Sequence, residues 1–233
     1  MKDITKHISP ASWFAIIAAF MYCSWPLAFF LNPSVGKHDL ASQLEAPHQP
    51  YNWVFIAMDV LTGCALIIAG FLQYRANRHQ PNRRSSIAVW NYIAFGSMVA
   101  IAALVPLTCD PEQDACGSIW RNPHIIIHGF CSIASVICLL VGLIVIAHGH
   151  YMQRASRRHL VLLSSVLVLW LLFGIGSLVE MALHISGNLL QYFFITVCSI
   201  SVIVLVYYVE RLAGVLARNT VLNPVPDSVK SKP

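Results

Sequence analysis

Six stretches of about 20 or more predominantly apolar residues dominate this chain, each long enough as a helix to cross a hydrocarbon core of about 30 Å. They occupy residues 12–31, 51–73, 87–107, 124–148, 160–184 and 188–214. Inside a membrane a backbone N–H or C=O finds no water, so such stretches must close their hydrogen bonds within themselves, as helices. The expected fold class is all-α: a polytopic membrane protein built as a bundle of six transmembrane helices. A hydrophobic content of 57% against 11% charged residues rules out an ordinary soluble domain. Residues 1–11 form a polar N-terminal segment, 12–214 the membrane domain, and 215–233 a tail. That tail contains "VLNPVPDSVKSKP", too polar and Pro-rich to bury a core, and is expected to be disordered.

The net charge of +5 raises nucleic acid as a partner, but its distribution argues against one. Arg75, Arg78, Arg83 and Arg84 fill the second connection, and Arg154, Arg157 and Arg158 the fourth. Lys2 and Lys6 precede the first block, while Arg218, Lys230 and Lys232 follow the last. The first and third connections carry Lys37 and Arg121 beside Asp39, Glu45, Asp110, Glu112 and Asp114. This is the positive-inside pattern, so the expectation is a plasma-membrane protein with both termini cytoplasmic. No small-residue cleavage site follows the first block, which is expected to stay as a signal anchor. Cys109 and Cys116 bracket "CDPEQDAC" in the third connection, on the oxidising side. A disulfide there is expected, contributing about 2–3 kcal/mol through loop entropy.

Topology converts position into depth. Pro33 and Pro47 bracket a segment with helical spacing at Leu40 and Leu44, expected as a short helix on the outer surface. Asp59 falls about 12 Å inside the second helix, counted from Tyr51 at 1.5 Å per residue. An unpaired carboxylate at such a depth costs roughly 2.5–3.5 kcal/mol, so Asp59 must be protonated, paired or in contact with water. "PHIIIHGFCS" places His124 and His128 one turn apart in the outer half of the fourth helix, with Ser132 next on that face. Glu180 and His184 repeat the four-residue spacing at the outer end of the fifth. Asp110 closes the third helix, and Gln191 opens the sixth. The inner half offers chiefly Gln73 and Asn91, while His148, His150 and His159 read as solvated residues among the arginines.

"SQLEAPHQPYNWVFIAMDVLTG", "LVPLTCDPEQDAC" and "PHIIIHGFCSIAS", in that order, resemble segments of a bacterial six-helix membrane family catalogued as domain of unknown function 998. The resemblance spans about residues 12–214 and implies fold and location, with no mechanism attached. A more distant similarity is to membrane hydrolases related to alkaline ceramidases, which hold zinc with three histidines beside an Asp and a Ser. By that analogy the metal ligands are His124, His128 and His184, with Asp59, Glu180 and Ser132 as catalytic groups. The chain departs from that pattern in helix number and in ligand order.

Three readings follow. A zinc-dependent hydrolase would lower the pKa of a bound water and attack a lipid ester or amide from the outer leaflet. A binding pocket would use the same acids and histidines to hold a small ligand or relay protons. A structural protein would spend them on interhelical hydrogen bonds. Haem fits poorly, because a His128–His184 pair has no second, inner pair to accompany it. The bilayer is the expected partner, with a lipid or small molecule as ligand.

Overall fold

Pro26 interrupts the first apolar block. It has no N–H to donate and its ring clashes with the preceding turn, so a regular helix cannot continue through it. In the computed structural model, helix α1 (Pro10–Tyr22) accordingly ends four residues earlier, and a 3-10 turn (Trp25–Leu27) leads into the short α2 (Ala28–Leu31). The structure describes residues 9–32, 41–78, 83–108, 122–153, 156–183 and 189–222. A second 3-10 turn (Ala41–Glu45) precedes α3 (Asn52–Asn77), α4 (Arg83–Leu104), α5 (Pro123–Met152), α6 (Arg157–Ala182) and α7 (Leu189–Leu222). Among the described residues all regular structure is helical, and six helical spans are long and apolar enough to cross a membrane. Large apolar side chains cover the outside, with Phe20 79% and Phe30 83% exposed, as lipid contact requires.

Two helix starts are set locally. Ser9 caps α1 by accepting from the Ser12 N–H at 3.0 Å, and Asn122 caps α5 by accepting from the His124 N–H at 3.0 Å. In both, proline follows at the first helical position, where a missing N–H costs nothing. The helices then pack in a chain of neighbours: α4 lies against both α3 and α5, and α1 against both α3 and α7. Small residues permit the closest of these approaches. A Cβ on Gly63 would strike the Gly96 carbonyl oxygen, and one on Gly96 would lie 2.8 Å from the Leu66 Cβ. Helix α7 presents Val202, Leu205, Val206, Val209 and Leu212 to the core. By contrast, α5 and α6 touch much less than α4 and α5 do.

Polar groups occupy both ends of this bundle, contrary to the expectation of a nearly empty inner half. At one end Glu210 on α7 accepts from the Ser9 hydroxyl, from Ser12 Oγ at 3.1 Å and from Gln73 Nε2 at 3.2 Å. Gln73 Oε1 in turn accepts from the Tyr92 hydroxyl at 2.6 Å, and Gln73 Nε2 also reaches the Val206 carbonyl at 3.1 Å. Helices α1, α3, α4 and α7 are thereby joined through one carboxylate. Two of the histidines read as solvated also take part in packing at this end. His150 is buried and edge-on to Tyr208, while His159 bonds the Tyr208 hydroxyl at 2.8 Å and approaches Arg211. Position near the arginines hid this, because helix rotation decides which histidines turn inward.

Candidate functional site

At the opposite end, the segment expected as a surface helix is folded inward. Ala41–Glu45 is a 3-10 turn whose Gln43, Leu44 and Glu45 are buried, and Leu44 packs on Phe55 and Ala28 beside Trp25. Backbone bonds from Ala46 to Gln43, Gln49 to Ala46 and Asn52 to Gln49 continue it as successive turns into α3. Tyr51 completes the entry in the left-handed region at φ 58°, an uncommon conformation for a residue with a Cβ. Side chains tie the segment down: Gln191 accepts from the Ala41 N–H at 2.8 Å, and Asn32 donates to Gln49 at 2.7 Å. Buried apolar contact with Phe55 and these hydrogen bonds explain why the segment plugs the bundle instead of lying on it.

The inward fold delivers Glu45 to Asp59, and the two carboxyl groups lie within hydrogen-bonding reach of each other. Ionised carboxylates only accept, so a bond between them requires the pair to hold at least one proton. Burial pushes the Glu45 carboxyl up to about 7, with the hydrogen bond to Asp59 acting in the opposite direction. In the sequence Glu45 stands among the acids of a loop, with no residue pattern that pairs it with Asp59. The available signal was weak: Leu44 and Ala46 flank it with apolar residues in an otherwise polar loop.

Both acids line a cavity of about 540 Å³ between the helices. It runs along α5 from Ile125 to Ile137, about 18 Å at the helical rise. His128, Ser132 and Ser135 face it from α5, Trp25 closes the Glu45 end, and Trp170 and Phe194 form a deeper wall. Trp170 stacks edge-on with Phe194 at 5.1 Å and is only 8% exposed. Its indole N–H, beside the Cys198 thiol, finds no hydrogen-bond partner of proper geometry. Among the described residues, no Lys or Arg lines the cavity.

The sequence candidates divide. Asp59, His128 and Ser132 share the cavity. His128 is buried, and its Nδ1 lies 3.0 Å from the Ala102 carbonyl and 3.2 Å from that of Val105. Carbonyls only accept, so Nδ1 carries the hydrogen and satisfies the last turn of α4, leaving Nε2 as an acceptor in the neutral ring. His124, one turn earlier, is exposed. Glu180 is buried outside the cavity wall, where its carboxylate accepts from the Leu190 N–H at 3.1 Å and caps the start of α7. His184, Asp110 and both Cys109 and Cys116 of the expected disulfide lie outside the described residues, as does the tail beyond residue 222. The five described cysteines, Cys23, Cys64, Cys131, Cys138 and Cys198, are free thiols. No three His, Cys, Asp or Glu side chains among the described residues gather around one point that a metal ion could occupy.

A family model described as "Protein of unknown function (DUF998)" matches residues 15–209, from the second turn of α1 to the middle of α7. No curated protein and no solved structure matches the chain.

Proposed function

The chain belongs to the DUF998 family, and from that premise of a membrane fold without an assigned activity we propose that it is a membrane-embedded binding protein. Its ligand occupies the cavity between α3, α5, α6 and α7 and answers to the Glu45–Asp59 pair. One observation carries this reading: two buried acids that together hold at least one proton line a chamber of about 540 Å³ walled mainly by apolar side chains. Polar groups in an apolar interior are costly unless paired, and those of a purely structural cluster satisfy one another. Hydrolysis is the weaker reading, since His128 spends Nδ1 on α4 and the described residues assemble no third metal ligand. The distribution of basic residues supports a plasma-membrane location with cytoplasmic termini, which opens the cavity toward the outer side.

The test uses dicyclohexylcarbodiimide, an apolar reagent that adds to protonated carboxyl groups. Full-length protein in lipid nanodiscs should be modified at Glu45 or Asp59, read by peptide mass spectrometry. Gly129→Phe should block the reaction, because Gly129 lines the cavity and a Cβ there meets no atom within 4 Å. The new side chain therefore has room to leave the backbone at this position. Modification that proceeds unchanged in Gly129→Phe would remove the cavity from the account.

A further inference from the structure

We propose that the occupant is an amphipathic organic cation, whose ammonium head sits against Glu45 and Asp59 and whose apolar tail leaves the protein sideways between α5 and α6. This rests on the cavity being a ligand site. The charge of the head follows from the lining. With one proton bound the pair carries one negative charge, which a cation drawn to it would hold in place, and among the described residues no Lys or Arg lines the cavity to neutralise it. An anionic headgroup would be repelled, and a neutral one would leave that charge unpaired in an apolar interior. A bare inorganic cation fits badly, because it wants six or so oxygen ligands around it and this chamber is walled mainly by apolar side chains. Aromatic faces complete the setting. Tyr22 lies within electrostatic reach of both acids, Phe55 is one turn before Asp59 on α3, and Trp25 packs beside the Leu44–Phe55 contact. Such rings favour an ammonium desolvated among them.

The tail follows from the route out. Ile133 and Ile137 on α5, with Ile175 and Leu178 on α6, all line the cavity. Each is also 53–64% exposed on the outside of the bundle. A side chain that faces both the interior and the perimeter marks an opening, and here two helices offer matching pairs where their mutual packing is thin. Since the perimeter of a spanning bundle faces hydrocarbon, this opening admits an apolar chain and bars a hydrated solute. Trp170, deeper in the wall, adds a further aromatic surface along the occupant's path.

Three radiolabelled probes of equal chain length test the class: dodecylammonium, dodecanol and dodecanoate, each titrated into full-length protein in phosphatidylcholine nanodiscs, with empty nanodiscs subtracted. Dodecylammonium should bind saturably, and the other two at least about tenfold more weakly, as loss of a buried charge partner implies. The double variant Glu45→Gln, Asp59→Asn and, separately, Gly129→Phe should each weaken amine binding by about tenfold or more. Amine binding indifferent to both variants would overturn the proposal. Should dodecanol or dodecanoate bind as well as the amine and be excluded by Gly129→Phe, the cation class falls while the binding cavity stands. If no probe binds saturably but Gly129→Phe still blocks carbodiimide modification, only the cationic amphiphile is overturned. If no probe binds and that modification is also unchanged, both readings fall together.

Discussion

Glu210 and Glu45 both meet side chains from other elements of the bundle, yet their surroundings are built on opposite principles. Glu210 accepts from Ser9, Ser12 and Gln73, and Gln73 is itself fixed by Tyr92 and the Val206 carbonyl. Donors outnumber acids there, so the carboxylate stays paired and the helices stay joined. Glu45 instead meets another acid, Asp59, at the wall of a cavity. Like groups compensate each other only by sharing a proton, which leaves the pair open to exchange with solvent or with a cation. The difference separates a fastening from a site better than the number of polar residues does: what counts is whether donors and acceptors at each end balance.

The largest effect that would break this comparison is expected at Glu210. Glu210→Ala strands the hydroxyls of Ser9 and Ser12 and one N–H of Gln73 in a low-dielectric setting, and should cost about 3 kcal/mol or more. Unfolding in detergent micelles, followed by helical circular dichroism, measures it. The double replacement Glu45→Gln, Asp59→Asn should leave stability unchanged or raise it, since it removes a buried charge in place of a buried acceptor. Equal losses at the two ends would erase the distinction between them.

A comparable effect, on the order of 3 kcal/mol, is expected from pH. Glu45 has its folded pKa raised from 4.5 to about 7, so the folded protein holds a proton that the unfolded chain releases. Its contribution to stability is therefore complete below pH 4.5 and is lost as pH rises toward about 7. The titratable groups around it are Asp59 on α3, Tyr22 on α1 and His128 on α5, which share its cavity. Melting temperatures across pH 4.5–7 should fall in the wild type and flatten in Glu45→Gln. A slope that survives Glu45→Gln would assign the proton elsewhere.

The smallest expected effect sharpens the comparison within α5. His124→Ala should change stability by less than about 0.5 kcal/mol, as exposed substitutions do. His128→Ala removes the donor to Ala102 and Val105 and should cost about 1–2 kcal/mol by the same unfolding measurement. A similar cost at both would mean that the two histidines are equivalent after all.

Much of the fold was legible because bilayer-length apolar runs leave a chain only one economical way to satisfy its backbone, and length plus hydropathy state it directly. The family resemblance rested on residues in that same frame, and the family match bears it out. Parts of the site were legible for a related reason: depth along a helix is countable, so Asp59 and His128 could be assigned to a common level, with Ser132 a little deeper. Depth is silent on rotation and on loops, however. Gln73 was visible as a polar residue, but its bonds to Glu210 and Tyr92 join helices far apart in the chain. Glu180 matched the cavity in depth and instead turns toward the first turn of α7.

The sequence by itself thus determined six membrane-length helical spans, consequences of local composition and covalent geometry. Only the tertiary structure decided that the Ala41–Glu45 turn folds inward, that Glu45 meets Asp59, and that α5 and α6 part enough to leave a chamber. The physical reason is that helix formation in lipid is settled within each segment, by backbone hydrogen bonds between near neighbours. Pairing of acids and opening of cavities depend on the rotation and spacing of whole helices, fixed by contacts such as Gly63 on Gly96 that no single segment encodes.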